Sequence, residues 1–320
     1  MKKYKGLKSA ALAFAAFALI ASACGSSDTA APVDTAAPAA TDAPVDTVAP
    51  MIGAGMLACE ITDTGGVDDK GFNQIAYKGL QDAEATLGVT IDVLESTSDA
   101  DYAPNLQNFA DKGCNIIITV GFLLGDATKA AAEANPDTNY AIVDYAYDPA
   151  IANVRGLVFA TDQPSFMAGY IAAGMTVTGI VGTFGGINIP PVTVFMDGFA
   201  KGVAYYNTQK GKTVKVLGWD VAKQDGTFAG NFNSLDDGKN IAKSQADEGA
   251  DIIFPVAGPV GLGSAQFAKE SGGKVRIIGV VKRPGVVATA VDGIGWSGVG
   301  KPVVMPDFMH WFCRRRSLPR

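Results

Sequence analysis

The stretch MLACEITDTGGVDDKGFNQIAYKGLQDAEATLGVTIDVLES, residues 56–96, contains a strand, a helix and a second strand, in that order. MLACEIT is short and apolar, and a loop rich in Gly and Asp follows it. Asn73 to Leu87 then has the periodicity of a helix. Four apolar residues share one face of that helix: Ala76, Leu80, Ala83 and Leu87. A helix between two apolar strands predicts that the strands are parallel, because parallel strands need a crossover connection.

The same alternation of strands and helices repeats along the chain. NIIITVG (115–121) is apolar on both faces, which indicates a strand covered by helices on both sides. The pattern restarts near residues 160–165, so we predict an α/β fold of two doubly wound, parallel-sheet lobes, at 51–161 and 162–281. Ligands of such sheets bind beyond the carboxyl ends of the strands. We therefore expect the loops at those ends to face a common cleft: those starting at Asp63, Gly121, Asp144, Gly185, Trp219 and Gly258.

The first fifty residues precede both lobes. Four lysines are followed by an apolar run, Ala10 to Ala21, too short to cross about 30 Å of hydrocarbon, which predicts a secretory signal peptide over 1–23. Small residues directly before Cys24 resemble the cleavage site of bacterial lipoproteins, with lipid on that cysteine. The alternative is an ordinary signal followed by an incidental cysteine. Residues 24–50 are mostly Ala, Pro, Asp, Thr and Val, and predict an extended, lipid-anchored linker.

Composition excludes several function classes. The net charge is −6 and no basic stripe precedes residue 280, so we expect no nucleic-acid partner. No second apolar stretch reaches spanning length, so we expect the lipid alone to hold the chain to the membrane. Cys59 and Cys114 are predicted to form a disulfide, with two buried thiols as the alternative. A single His in the chain leaves no partner for a metal site or a nucleophile, so we expect neither metal nor cofactor.

The segment DTGGVDDKGFNQIAYKG (63–79) carries the most chemical information. Asp63 closes the first strand, and Asp69 or Asn73 is expected to cap the helix that follows. Phe72 lies at the junction of loop and helix, where an aromatic face near amide and carboxylate groups suits a flat, hydrogen-bonding heterocycle. The alternative is structural, with Phe72 packed against the core beside the helix cap.

Six segments together resemble the basic membrane protein (BMP) family of substrate-binding lipoproteins of ABC transporters. They are TDTGGVDDKGFNQIAYKG, SDADYAPNLQNFADKGCNIIITVG, AIVDYAYD, FATDQPSFMAGYIAA, GGINIPPVTVFMDGFAKGV and GADIIFPVAGPVGLG, which occur between residues 62 and 263. The resemblance implies a fold like that of type I periplasmic binding proteins, with two α/β lobes joined by a hinge. It also implies a receptor that binds purine nucleosides outside the cytoplasm, at the cell membrane, and delivers them to an ABC permease.

The resemblance also implies roles for residues of the cleft. Phe72 and Phe232 would sandwich the base, although Phe228 lies one turn from Phe232 and is an alternative for that role. Asn73 and Asp144 would bind the edge of the base, and Asp63 would lie in the same pocket. The backbone of Gly258 would approach the ribose. Each residue also has a structural alternative, since Asp144 can close a loop and Phe232 can belong to the core.

Two rival functions remain open from the sequence. Another small polar ligand, such as a sugar or an autoinducer, would suit the same kind of receptor. A surface nucleoside hydrolase would need Ca²⁺ in the loop at 63–69, but that loop lacks clustered DxD carboxylates, and the body of the chain offers no His as a general acid. We therefore expect a binding protein and not an enzyme.

The segment 282–320 departs from the family pattern. It contains five of the seven arginines, and its seven Lys or Arg against two Asp give a net charge of +5. Val281 stands where the family continues the strand with an Asp that binds the ribose. One interpretation is a basic tail that binds a partner. The other, which we favour, is a change of reading frame that leaves the C-terminal part of the fold incomplete.

Overall fold

The structure is a computed structural model that describes residues 51–280. The predicted signal peptide, Cys24, the linker, Val281 and the basic tail lie outside these residues. In the described part, none of the helices has both the length and the apolar character needed to cross a bilayer.

The first lobe is built on one parallel sheet with helices on both faces. Its strands are β1 (Leu57–Thr62), β2 (Thr90–Leu94), β3 (Ile116–Val120), β4 (Asn139–Val143) and β5 (Val154–Leu157). Its helices are α1 (Phe72–Leu87), α2 (Tyr102–Lys112) and α3 (Gly125–Ala134), with 3-10 turns at Asp99–Asp101 and Phe122–Leu124. The strand order is β2-β1-β3-β4-β5, a doubly wound order in which the chain changes direction across the sheet between β1 and β3.

The second lobe repeats this plan. Its parallel strands are β6 (Ile180–Gly185), β7 (Lys215–Leu217), β10 (Ile252–Val256) and β11 (Arg276–Ile277), and a small antiparallel ribbon contains β8 (Trp219–Asp220) and β9 (Asp225–Gly226). Its helices are α4 (Asp162–Met175), α5 (Pro190–Lys210), α6 (Leu235–Asp247) and α7 (Val260–Glu270). The strand order β11-β10-β6-β7 places the change of direction between β6 and β10, the equivalent point. The predicted fold class, two doubly wound lobes of type I periplasmic-binding-protein kind, is confirmed.

Alternation along the strands explains why each lobe has two apolar layers. In β1, Ala58 packs with Leu80 and Ala83 of α1, while its neighbour Cys59 packs with Leu106 of α2 on the opposite face. A disulfide joins Cys59 to Cys114, whose Cα atoms are 6.0 Å apart. The bridge links β1 to the residue that leads into β3, and these strands are neighbours in the sheet.

Some strands are shorter than the apolar pattern predicts. We predict one strand over 213–219, but in the structure β7 ends at Leu217 and Trp219 pairs with β9 in the separate ribbon. Gly218 separates them with φ +80°, a conformation that interrupts a strand. The apolar stretches VRGLVFA (154–160) and KVRIIGVV (274–281) also predict strands. Within the described residues these strands are shorter, Val154–Leu157 and Arg276–Ile277.

Glu60 is the most unusual residue of the core. It lies in the middle of β1, between Val93 of β2 and Ile118 of β3, on the face that packs against α1. The side chain is fully buried, and neither carboxyl oxygen has a hydrogen-bond partner among residues 51–280. Burial raises the pKa of Glu60 to about 8, because desolvation penalises the charged form. Glu60 is therefore mainly neutral at pH 7 in the folded chain.

This burial predicts a pH-dependent stability that the Glu60→Gln variant should lose. The pKa is about 8 in the folded chain against 4.5 for an exposed Glu, so the folded state alone holds the proton between those values. The stability that this bound proton contributes is fully present at low pH. As the pH rises between the two pKa values, the free energy of unfolding should fall by about 1.4 kcal/mol per pH unit. Urea denaturation at several pH values measures the slope.

The control is Glu133→Gln, which changes an exposed glutamate in α3 and should keep the native slope. Equal slopes for native protein and the Glu60→Gln variant would show that Glu60 ionises freely in the fold.

Candidate functional site

Asp69 organises the loop between β1 and α1. Its carboxylate accepts hydrogen bonds from the backbone N–H groups of Gly71 (2.8 Å), Asn73 (2.9 Å) and Gln74 (3.1 Å). The helix begins after Gly71, which has no side chain to cap it. Asp69 therefore satisfies N–H groups that the first turn of α1 leaves without intrahelical partners. Of the two residues that the sequence offers as caps, it is Asp69 whose side chain does this.

Asn73 instead forms a pair with Asp63. Its Nδ2 donates to Asp63 Oδ1 at 2.6 Å, and the backbone N–H of Gly65 donates to the same oxygen at 3.1 Å. Burial raises the pKa of Asp63, and the hydrogen bond from Asn73 partly opposes that shift. Because the amide nitrogen faces Asp63, the carbonyl oxygen points elsewhere. That oxygen, Asn73 Oδ1, is buried and has no hydrogen-bond partner in the described part of the chain.

Two aromatic side chains lie at this edge of the first sheet without belonging to its core. Phe72, the first residue of α1, and Phe122, the second residue after β3, are both half-buried. Within residues 51–280 neither belongs to any of the four apolar core clusters. The Phe122 ring packs against Tyr145, with the ring centroids 4.9 Å apart. The sequence predicts that the loop starting at Gly121 faces the cleft, but it does not single out Phe122 as a candidate site residue.

Asp144 lies directly after β4 at the same edge. Its backbone has φ +61°, which is uncommon for a residue other than Gly, and its N–H donates to Leu157 O at 2.8 Å. The structure shows no hydrogen bond or ion pair to its carboxylate from any described residue. Burial raises the pKa of Asp144 to about 6. The backbone thus holds a partly desolvated carboxylate in place without supplying it with a donor.

The second lobe brings two further predicted residues together. The Phe232 ring lies against the Cα of Gly186, which follows β6, and the position that a side chain would take on Gly258 is 3.7 Å from Phe232 O. Phe232 is half-buried and also contacts the apolar cluster under α4 and α5. Gly258 has φ +52° and lies just beyond β10, next to β6 in the sheet.

Phe228, like Phe232, is half-buried and contacts the apolar cluster under α4 and α5. Its backbone forms a parallel bridge with Gly185 at the end of β6. Its ring meets Trp219 edge to face, with the centroids 6.1 Å apart. Both contacts are with the framework of the lobe, which favours Phe232 over Phe228 as the aromatic residue available to a ligand.

The site residues fall into two sets with different chemistry. The first lobe contributes Asn73 Oδ1, the Asp144 carboxylate and the Phe72 ring, and the second contributes the Phe232 ring and the Gly258 backbone. In residues 51–280 there is no group of three or more His, Cys, Asp or Glu placed to hold a metal ion. Hydrogen-bond acceptors beside aromatic rings suit a flat ligand that donates N–H groups.

The chain matches the sequence model of the Bmp family, described as ABC transporter substrate-binding protein PnrA-like, over residues 57–290. The match includes the first residues of the segment that we predict to be an atypical tail. This is a family of substrate-binding proteins and not of enzymes, which argues against a surface hydrolase.

Relatives and solved structures point the same way. Basic membrane protein A of Borreliella burgdorferi is 34% identical over 235 residues, which cover 71% of this chain and 66% of the relative. The ABC transporter nucleoside-binding protein BmpA of Lactococcus lactis is 34% identical over 70% of this chain and 63% of its own length. The chain thus spans slightly less than two thirds of these relatives. An ABC solute-binding protein from Aeropyrum pernix superposes with a TM-score of 0.63 at 27% identity, covering 70% of this chain and 62% of that one.

The Asp69 cap makes a prediction about stability. Asp69→Ala removes the acceptor of three backbone N–H groups and should lower the free energy of unfolding by about 1–2 kcal/mol. Urea denaturation measures the change. The matched control is Asp68→Ala, because the Asp68 side chain is 76% exposed and, among residues 51–280, pairs only with Lys70 and Gln74 at the surface. It should cost less than about 0.5 kcal/mol. Equal losses in the two variants would contradict the capping role.

Proposed function

The chain belongs to the Bmp family of ABC-transporter substrate-binding proteins, and on that premise we propose that it is an extracytoplasmic receptor for purine nucleosides. The observation that carries the proposal is a pair of acceptors without donors at one edge of the first sheet. Within residues 51–280, Asn73 Oδ1 is buried without a hydrogen-bond partner. The half-buried Asp144 carboxylate receives no hydrogen bond from those residues, and desolvation alone accounts for its raised pKa. A buried acceptor left without a donor costs about 1–3 kcal/mol, so the site is organised for a ligand that supplies N–H groups.

A purine base meets these requirements. Guanine presents a ring N1–H and an exocyclic amino group on one edge, hypoxanthine presents N1–H, and adenine presents an exocyclic amino group. The faces of all three are flat and apolar enough to stack on Phe72 and Phe232. Stacking of a base on an aromatic side chain contributes about 1–3 kcal/mol. The backbone of Gly258 is then the part of the second lobe that approaches the ribose. Asp63 holds the Asn73 amide in the orientation that directs its oxygen to the base.

A binding event of this kind needs both lobes. The base-edge acceptors belong to the first sheet, while Phe232 and Gly258 belong to the second. Hinge closure would bring the two sets onto one ligand and form the surface that an ABC permease recognises. We further propose that lipid on Cys24 and the linker to residue 50 tether this receptor to the membrane. The printed name of the Lactococcus lactis relative, a nucleoside-binding protein, supports the choice of ligand.

The test is calorimetric titration of the purified chain with guanosine, inosine, adenosine, guanine and ribose. The proposal predicts saturable binding of nucleosides and none of ribose at the same concentration, since stacking and the base edge supply most of the affinity. Phe72→Ala should weaken binding by about tenfold or more. Binding of a sugar in place of nucleosides would favour the sugar alternative, and release of free base from a bound nucleoside would favour a hydrolase.

The same titration has a pH arm. The pKa of Asp144 is about 6 in the free protein, and only the ionised carboxylate can accept from two N–H donors. Affinity for guanosine should therefore be constant above about pH 7 and fall by up to about tenfold per pH unit below pH 6. Asp144→Asn should bind weakly at all pH values and lack this decline. A native affinity that does not change between pH 5 and 8 would contradict the role of Asp144.

A further inference from the structure

Two adjacent glycines at the end of β6 each lie against one phenylalanine ring. A Cβ added to Gly185 would stand 2.6 Å from the Phe228 ring, and one added to Gly186 would stand even closer to the Phe232 ring. Real Cβ atoms do not approach other atoms this closely. Each ring therefore occupies the space that a side chain would take at its glycine.

The backbone at these glycines has little freedom to move away from the rings. Gly185 N donates to Thr227 O at 3.0 Å, and Gly186 N donates to Val256 O at 2.9 Å. Gly230 N donates in turn to Gly186 O at 2.8 Å. These bonds connect the segment on one side to the chain before Phe232 and on the other to β10. Because the backbone is bonded on both sides, a side chain at residue 186 would have to displace the ring. It would also shift the carbonyl of Asn231, whose oxygen would stand 2.9 Å from the added Cβ.

We propose that Gly186 is a positioning residue of the ligand site. Because Gly186 has no side chain, the Phe232 ring packs directly on its Cα, and this contact fixes the ring at the carboxyl edge of the second sheet. This inference rests on the proposed function, in which Phe232 stacks on the base. Stacking depends on the position of the ring, because a gap of even less than 1 Å between the ring and the base would lose much of the contact energy. An alanine at 186 would push the ring toward the space of the ligand.

Gly185 is the matched control that the chain itself provides. Alanine there would meet Phe228 and also Val192, whose Cγ1 would be 2.7 Å away. Phe228 packs against Trp219, so the displaced ring would disturb the framework of the lobe and the environment of that indole. The two variants make the same chemical change at neighbouring positions but act on different rings.

The experiment compares Gly186→Ala, Gly185→Ala, Phe232→Ala and the double variant Gly186→Ala/Phe232→Ala. Guanosine affinity is measured by calorimetry, melting temperature by circular dichroism, and tryptophan emission by fluorescence. We expect Gly186→Ala to weaken guanosine binding by about tenfold or more. We expect Gly185→Ala to lower the melting temperature and shift the emission, while its affinity stays within about threefold of native.

The double variant separates positioning from a general loss of structure. If the alanine acts on binding through the ring, then adding Gly186→Ala to Phe232→Ala should weaken binding no further. The remaining contact with Asn231 O should keep the melting temperature of the double variant somewhat below that of Phe232→Ala. If Gly186→Ala alone folds poorly, the affinity comparison still tests the inference, because removing the ring relieves the shorter of the two contacts.

Three results would overturn the inference. Native guanosine affinity in Gly186→Ala would show that the contact between the ring and the glycine Cα is unnecessary. A further loss of affinity in the double variant would show that the glycine acts independently of Phe232. A native chain that binds no purine nucleoside would overturn the proposed function together with this inference. Native binding with an unaffected Gly186→Ala variant would overturn the inference alone.

Discussion

The carboxyl ends of all strands in a parallel sheet lie at the same edge, and this constraint places most of the candidate ligand-site residues among residues 51–280. In the first sheet Asp63, Phe122 and Asp144 follow β1, β3 and β4, which are neighbours in the order of strands. In the second sheet Gly186 and Gly258 follow β6 and β10, again neighbours. Each sheet reverses its winding between these strands, so helices leave to opposite faces and the space beyond the strand ends stays open for a ligand.

Burial raises the pKa of three acids in this framework, but their charge states differ because their hydrogen-bond partners and their exposure differ. Glu60 is shielded from solvent, has no hydrogen-bond partner among residues 51–280, and is mainly neutral at pH 7. Asp63 is also penalised by burial, but hydrogen bonds from Asn73 and Gly65 counter the shift. Asp144 lies at the rim, where its raised pKa of about 6 still leaves it mostly charged at neutral pH. Asp144 therefore offers a ligand a charged acceptor that no described residue occupies, which distinguishes it from the structural acid Glu60.

The sequence predicts the general plan of the fold well because apolar strands alternate with amphipathic helices. It fails where one residue changes the backbone, as at Gly218, since no apolar pattern distinguishes a continuous strand from one that is interrupted. It also cannot say which polar side chain finds which donor. In the sequence Asp69 and Asn73 are equal candidates for the helix cap. Only the structure shows that it is the Asp69 carboxylate that accepts the N–H groups of the first turn. Glu60 is buried because helices cover both faces of β1. One charged residue in an apolar strand does not reveal this burial in the sequence.

If one nucleoside is held by the carboxyl edges of both sheets at once, its binding must protect both lobes from hydrogen exchange. Hydrogen–deuterium exchange of the purified chain, with and without saturating guanosine, measures this protection. We expect slower exchange in two separate segments, the loop and helix start at 63–74 and the second-lobe segment at 228–233. We expect little change in residues 135–138, which precede β4 at the opposite edge of the first sheet. Protection confined to one lobe, or its absence from both, would show that the two edges do not share one ligand.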